Sequence, residues 1–496
     1  MTLLFENADW TPEILERIYE ECCRIGEEEL KLTWYPNQFE IVSYENMLDV
    51  YSSVGMPMMY NHWSFGKSFI NNSELYKAGK MGLALEMVLN TNPCVNYLMD
   101  ENTATAQALV IAHAAIGHNS FFKNNYLFKQ WTSADSIIDY LGFAKKYIAQ
   151  CEEQYGIDEV EKILDAAHSL MDHSVDMYAK PKILSAREER EKQKMRDAAH
   201  EANYDELWSL IPNTKRAAEL PTNRFLPNGP EENLLYFLEK NSPILKSWQR
   251  EILRIVRKIA SYYRPQAMSK TINEGWASTC HYYIMTRLHE KGLIDDGSFL
   301  EFIKLHTSVV FQPEYDSKYF SGFNPYHLGF SIFADMKRMS QNPTEEDRLW
   351  FPDYAGGNWV ENWHYMYQEF RDDGLIQQFL SPKVMRDMKL FSFDNRENSR
   401  FYKIADIGNE SGYKNIRNSL AYETSIGYRS ADIQITDVDF NTRTCILTNF
   451  TSNNIMLDES TANKTLDYFR ELWGFKVVLV TVDRQSNFEL DRLETD

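Results

Sequence analysis

Residues 101–128 read ENTATAQALVIAHAAIGHNSFFKNNYLF, and this stretch decides the class of fold. From Thr103 to His113 it is apolar all round, so it reads as a helix buried within a larger helical body rather than one lying on a surface. Leu83 to Leu89 reads the same way. Upstream, Thr11 followed by Pro12 is an N-cap with proline at the first helical position, and Ile14, Ile18, Cys22 and Ile25 follow at helical spacing. Between these, Tyr35 to Lys67 is rich in aromatic, Gly and Pro residues and reads as an ordered loop. Downstream, Asp158 to Tyr178 is a further helix carrying His168 and His173.

A second helical block runs from Glu231 to about Met388, with helices at Trp248–Tyr262, Ile272–Lys291 and Tyr326–Met339 and prolines, Pro265 among them, at the boundaries. After Phe391 the pattern changes. The β-branched runs ADIQIT (431–436), TCILT (444–448) and KVVLVTV (476–482) alternate with helical stretches at Gly412–Ala421 and Thr461–Trp473, and Gly474 is a C-cap. The expected architecture is a large, mainly α N-terminal region with a smaller C-terminal α+β domain. Its parts are a helical region 1–185, a charged crossover 186–212, a helical region 213–390 and the α+β domain 391–496.

The chain has 496 residues, with 52 Lys+Arg against 72 Asp+Glu, a net charge of −20. That balance opposes general nucleic-acid binding and docking on anionic membranes. No apolar run reaches the roughly 18 residues of a membrane span, and the N-terminus lacks the pattern of a signal peptide, so a cytoplasmic location is expected. The six cysteines form no CxxC pair. Walker A, GxGxxG and GxSxG patterns are absent.

The chemistry concentrates on a few buried-helix residues. His113 and His118 are five apart, whereas a zinc protease helix places its histidines four apart with Glu after the first; here Ala114 stands there. Five residues of ideal α-helix turn through about 500°, so the rings diverge unless the helix ends or bulges near Gly117. Glu274, in NEGWAS, and His281 share one helix face but stand about 10 Å apart along it, too far to share one ion without a third element between them. His168, Glu86 and Glu101 are further candidates in or beside apolar helices. No Glu-x-x-His tetrapeptide occurs at the candidate histidines, which weighs against a di-metal helical bundle. The clusters HWSFGK (62–67) and NSFFKNNY (119–126) combine aromatic faces with polar groups suited to a sugar or peptide, or to a well-packed loop.

Long segments resemble one family. YPNQFEIVSYENMLDVYSSVGMP, HWSFGK, ENTATAQALVIAHAAIGHNSFFKNNYLF, TINEGWASTCHYYIM, FNPYHLGFSIFADMKR, NPTEEDRLWFPDYAG and FLSPKVMRDMKLF are similar to the SpoVR family, over about Leu32 to Asp483. Ser278 to Cys280 and His327 depart from the family pattern. The resemblance implies a link to the spore cortex, a peptidoglycan layer, or to stress adaptation. It also implies action beside a serine protein kinase and a von Willebrand A-type protein. It favours His113, His118, His168, Glu274 and His281, each within a family motif. A weaker similarity, of Gly117-His118 and Glu274-Gly275-Trp276-Ala277 to bacterial zinc peptidases with a Pro-Gly-His helix and a Glu-Gly-Trp-Ala helix, implies a divalent metal such as zinc. The leading reading is a divergent metal-dependent hydrolase: His113, His118 and Glu274 would hold the ion, His168 and His281 would assist, and Glu274, Glu86 or Glu101 would serve catalysis. A non-catalytic regulator or scaffold acting with the kinase system is the alternative.

Overall fold

The structure, a computed structural model, describes residues 2–52, 59–77, 86–177, 230–314, 317–390, 392–394, 403–406, 410–439, 441–452 and 456–495. The expected charged crossover, 186–212, lies outside them. The chain forms a mainly helical body and a smaller C-terminal α+β arrangement. Two compact units are each assembled from two stretches: Met1–Ala149 with Tyr262–Arg429, and Gln150–Ser261 with Ser430–Asp496. The division read from the sequence is linear, because composition marks where a segment changes character and not which distant segment it joins.

In the first unit, α1 (Pro12–Glu28) starts at Thr11, whose side chain accepts from the Ile14 amide, and buries Ile18, Cys22 and Ile25. A three-stranded sheet follows in the order β1 (Asn37–Val42), β3 (Cys94–Met99), β2 (Glu86–Val88). β1 runs parallel to β3, and β2 runs antiparallel to it. This corrects two expectations. The 35–67 stretch is no simple loop: it holds β1 and helices at Tyr44–Ser52 and from Trp63 onward. Glu86–Val88 is strand rather than helix, since a short apolar run reads alike in either state and only its pairing with β3 separates them.

From the sheet the chain enters α2 (Ala104–Val110), capped by Thr103, then a π-helix, π1 (Ile111–His118), then α3 (Asn119–Asn124). All of π1 is buried. The long helix α4 (Lys270–Glu290) carries the NEGWAS motif and is also largely buried. Its small residues let neighbours approach. A Cβ on Gly117 of π1 would lie 2.7 Å from the Ala277 Cα, and one on Gly275 would lie 2.4 Å from the Gly329 Cα in α6 (Pro325–Gln341). Trp276 of α4 is stacked at 4.3 Å on Tyr367 and donates from Nε1 to the Ser120 hydroxyl. Between α4 and α6, α5 (Asp296–Val309) contributes buried Phe302 and His306.

The second unit holds helices including Ile157–Ser169 and Glu459–Trp473 and a four-stranded sheet. The sheet runs Ile433–Val438, Cys445–Thr451, Val477–Asp483, Glu489–Glu494. Three of these strands match the β-branched runs. The last, ELDRLE, is a charged edge strand with no apolar signature. Gly474 ends its helix in the left-handed region at φ 88°. Pro265, expected at a boundary, lies inside the Ser247–Met268 helix. Among the described residues no helix is long and apolar enough to cross a membrane.

Candidate metal centre

The π-helix resolves the spacing of the two histidines. Its backbone bonds run i→i+5, which winds the chain more widely and brings residues five apart toward one side where an α-helix would splay them. The rings of His113 and His118 meet edge to face with centroids 4.6 Å apart. An external donor supports the wide turn: Asn37 of β1 gives its Nδ2 proton to the Ala115 carbonyl at 3.0 Å, and its Oδ1 accepts from Asn96 and Asn119.

Two carboxylates face these rings, one from the sheet and one from α4. His113 Nε2 lies 3.3 Å from Glu86 Oε1 and 3.6 Å from Glu274 Oε2, and His118 Nε2 lies 3.4 Å from Glu274 Oε2. Donor atoms of Glu86, His113 and His118 all fall within 4.8 Å of one another. These separations are long for charge-assisted hydrogen bonds, which run about 2.7–2.9 Å. They match the edges of a coordination shell: tetrahedral donors about 2.1 Å from one ion stand about 3.4 Å apart. The second oxygen of Glu86 and Oε2 of Glu274 are buried with no hydrogen-bond partner. Buried, orphaned carboxylate oxygens beside two imidazole nitrogens fit a divalent cation, which would supply the missing partner.

The outer nitrogens are also engaged. His118 Nδ1 donates to Asn273 Oδ1 at 2.9 Å, which leaves Nε2 toward Glu274. His113 Nδ1 lies 2.8 Å from His281 Nδ1, and His281 Nε2 lies 2.7 Å from His306 Nδ1. Tyr326 lies parallel to His113 at 6.4 Å.

The electrostatics are asymmetric. Burial raises the Glu86 pKa and the Glu274 charge adds to it, against the opposing pull of His113 and His118. Burial also works against ionised Glu274, but His118 and His113 hold it well below the usual carboxylate range. Burial opposes a charged His118, yet Glu274, then Glu86 and the Asn273 bond, hold it up to about 9. Burial drives His281 well below the usual imidazole range, with the neighbouring histidines adding to the effect, and brings His306 down to about 4.

Of the sequence candidates, the structure brings together Glu86, His113, His118 and Glu274. His281 stands behind His113, away from the carboxylates. Glu101 is exposed in the turn before α2, and half-buried His168 sits on the Ile157–Ser169 helix of the second unit; neither belongs to the cluster. Nearness to an apolar helix in sequence does not aim a side chain at a particular point. Asn119, Phe121 and Phe122 of the second aromatic cluster are buried, with Asn119 bonded to Tyr35 and Asn37, so they build the wall rather than a platform. His306 had no signal beyond being a lone histidine on an amphipathic helix, and only the packing of α5 reveals its place.

A family model described as SpoVR like protein matches residues 9–429, and one described as SpoVR-like C-terminal domain matches 431–484. The boundary between them coincides with the passage from the first unit to the second at Arg429/Ser430. The chain is 47% identical over 490 residues to the uncharacterized protein YcgB of Escherichia coli (strain K12), covering 99% of this chain and 96% of the relative. No solved structure gives a significant match.

Proposed function

The chain belongs to the SpoVR family, and we propose that it is a divalent-metal-dependent hydrolase with its centre at Glu86, His113, His118 and Glu274. His113, His118 and Glu274 would hold the ion, and Glu86 would take the proton of the attacking water. Burial shifts Glu86 in the direction a general base needs. An ion held this way supplies a Lewis acid and a bound water of lowered pKa. The chain's own contribution is to present the two imidazoles side by side on a π-turn and to set both carboxylates against them. A peptidoglycan precursor or an associated peptide as substrate, and action alongside a serine protein kinase and a von Willebrand A-type protein, rest on the family resemblance.

The observation that carries this reading is the buried Glu274 Oε2, which has no hydrogen-bond partner and stands at coordination spacing from both imidazoles, with Glu86 Oε1 at a similar distance from His113. The test is elemental mass spectrometry of protein purified without chelator, with His113→Ala and Glu274→Ala beside it. Near-stoichiometric zinc or another divalent ion in the wild type, lost in both variants, is expected. A wild type that holds no metal even after reconstitution overturns the reading and leaves the regulator or scaffold.

A further inference from the structure

His113, His281 and His306 form one hydrogen-bonded file leading away from the carboxylates, with N···N separations of 2.8 and 2.7 Å. All three side chains are buried. A neutral imidazole has one N–H donor and one bare acceptor, so each contact holds a single proton and all three rings must point the same way. Two neutral arrangements exist. In one, His113 Nδ1–H donates to His281 Nδ1, His281 Nε2–H donates to His306 Nδ1, and His113 Nε2 is bare. In the other every bond is reversed, and His113 Nε2 carries a proton facing Glu86. A charged His281 donating in both directions is opposed by its complete burial between two other imidazoles, and a charged His113 would keep the bond directions of the first arrangement.

We propose that His281 and His306 are positioning residues that hold His113 in its Nδ1–H form, so that its Nε2 lone pair is delivered to the ion. This rests on the metal reading above. The file is held in place by aromatic packing: Phe302 lies 6.1 Å from His281, and Tyr282 and Phe330 each lie 4.9 Å from His306.

The choice of imidazoles for this task follows from charge. A carboxylate or carbonyl commonly orients a metal-bound histidine. Here Glu86 and Glu274 already supply two negative charges, which balance a divalent cation. A third carboxylate behind His113 would leave a buried net anion, whereas a neutral histidine file fixes the tautomer without adding charge.

The test uses the full chain with zinc as probe. Zinc affinity is read by competition with a chromophoric chelator for the wild type, His281→Leu, His281→Gln, His306→Leu and, as control, His327→Leu. The control removes only a ring that bonds the Val310 carbonyl. Metal-free thermal unfolding reports whether each variant folds. His281→Leu should lose roughly 10–100-fold in affinity. His281→Gln, whose amide oxygen accepts from His113 Nδ1–H, should recover most of it. His306→Leu should lose less, in the same direction, and the control should match the wild type. Imidazole ¹⁵N shifts of the zinc-loaded wild type should show His113 protonated on Nδ1 alone, a readout that needs no variant to fold. A folded His281→Leu with wild-type affinity, a Gln variant as weak as the Leu variant, or protonated His113 Nε2 in the zinc-loaded protein overturns the proposal. A wild type that binds no zinc overturns the metal reading first, and the tautomer proposal with it.

Discussion

Gly117 and Ala277 meet backbone to backbone, and this close approach seats the π-turn carrying His113 and His118 directly against the helix carrying Glu274. A Cβ on Gly117 would lie 2.7 Å from the Ala277 Cα and 3.0 Å from its Cβ. The atom it would strike first is main chain, so no side-chain rotation makes room. The site thus depends on a glycine chosen for closeness rather than for an unusual backbone angle.

Gly117→Ala is therefore expected to destabilise the protein by roughly 1–3 kcal/mol through overpacking. The Gly117→Ala, Ala277→Gly double variant should regain only part, because the added methyl still meets the main chain of residue 277. Thermal unfolding of the metal-free proteins checks this. An unchanged midpoint in the single variant would show that α4 does not brace the turn.

The two carboxylates should respond oppositely to neutralisation without metal. Glu274 is held ionised by His118 and His113, whereas burial and Glu274 work against a charge on Glu86. Glu274→Gln leaves a buried His118 without its main counter-charge and should lower stability, on the order of 2 kcal/mol. Glu86→Gln removes a disfavoured charge and should be neutral or stabilising. Chemical denaturation near neutral pH, with chelator present, separates the two.

Much of the site was legible in the sequence because three of its residues lie in long family motifs and because glutamate and histidine are costly inside apolar helices. His113, His118 and Glu274 emerged on those grounds, and the need for a bulge near Gly117 emerged from rotation arithmetic. The π-helix itself did not, since nothing in IAHAAIGH distinguishes i→i+5 from i→i+4 bonding before its neighbours are known. Glu86 was found as a carboxylate but placed on a helix; pairing of β2 with β3 is what aims it. Strand β1 was hidden because NQFEIV has only a partial alternation and its partner lies far along the chain. The C-terminal sheet was easier: VVLVTV is continuous and β-branched, as a buried strand must be.

Acid should weaken one specific lock. Arg338 donates to both Asp347 oxygens at 2.7 Å, and Asp347 also closes a capping box with Thr344. Burial pushes the Asp347 pKa up, but Arg338 and the Thr344 bonds win and hold it at about 2. A carboxyl depressed on folding adds stability above its unfolded pKa of about 3.9 and loses it as pH falls through the folded value. Its contribution, roughly 2 kcal/mol at most, should disappear between about pH 4 and pH 2. Denaturant midpoints of the wild type and Asp347→Asn should converge over that window. A constant gap down to pH 2 would assign the lock to geometry rather than charge.

Glu274 is placed from a distance by Asp372. α4 begins at Lys270, and Ser269, at its N-cap position, makes no side-chain cap bond. The buried carboxylate of Asp372 instead accepts from the amides of Thr271 and Ile272 at 3.0 and 2.9 Å. An anion at a helix N-terminus satisfies otherwise orphaned donors and meets the favourable end of the helix dipole. Glu274 follows two residues after the second of these amides, so fraying of this first turn would displace its carboxylate from both imidazoles. Asp372→Ala should cost roughly 2–4 kcal/mol, since two buried amides lose their acceptor. Asp372→Asn keeps one amide oxygen as acceptor and should recover part of that. The functional consequence separates this cap from ordinary stabilisation: zinc affinity, measured at a temperature where both variants are folded, should fall in Asp372→Ala and return partly in Asp372→Asn. Full affinity in a folded Asp372→Ala protein would show that α4 holds Glu274 in place without its cap.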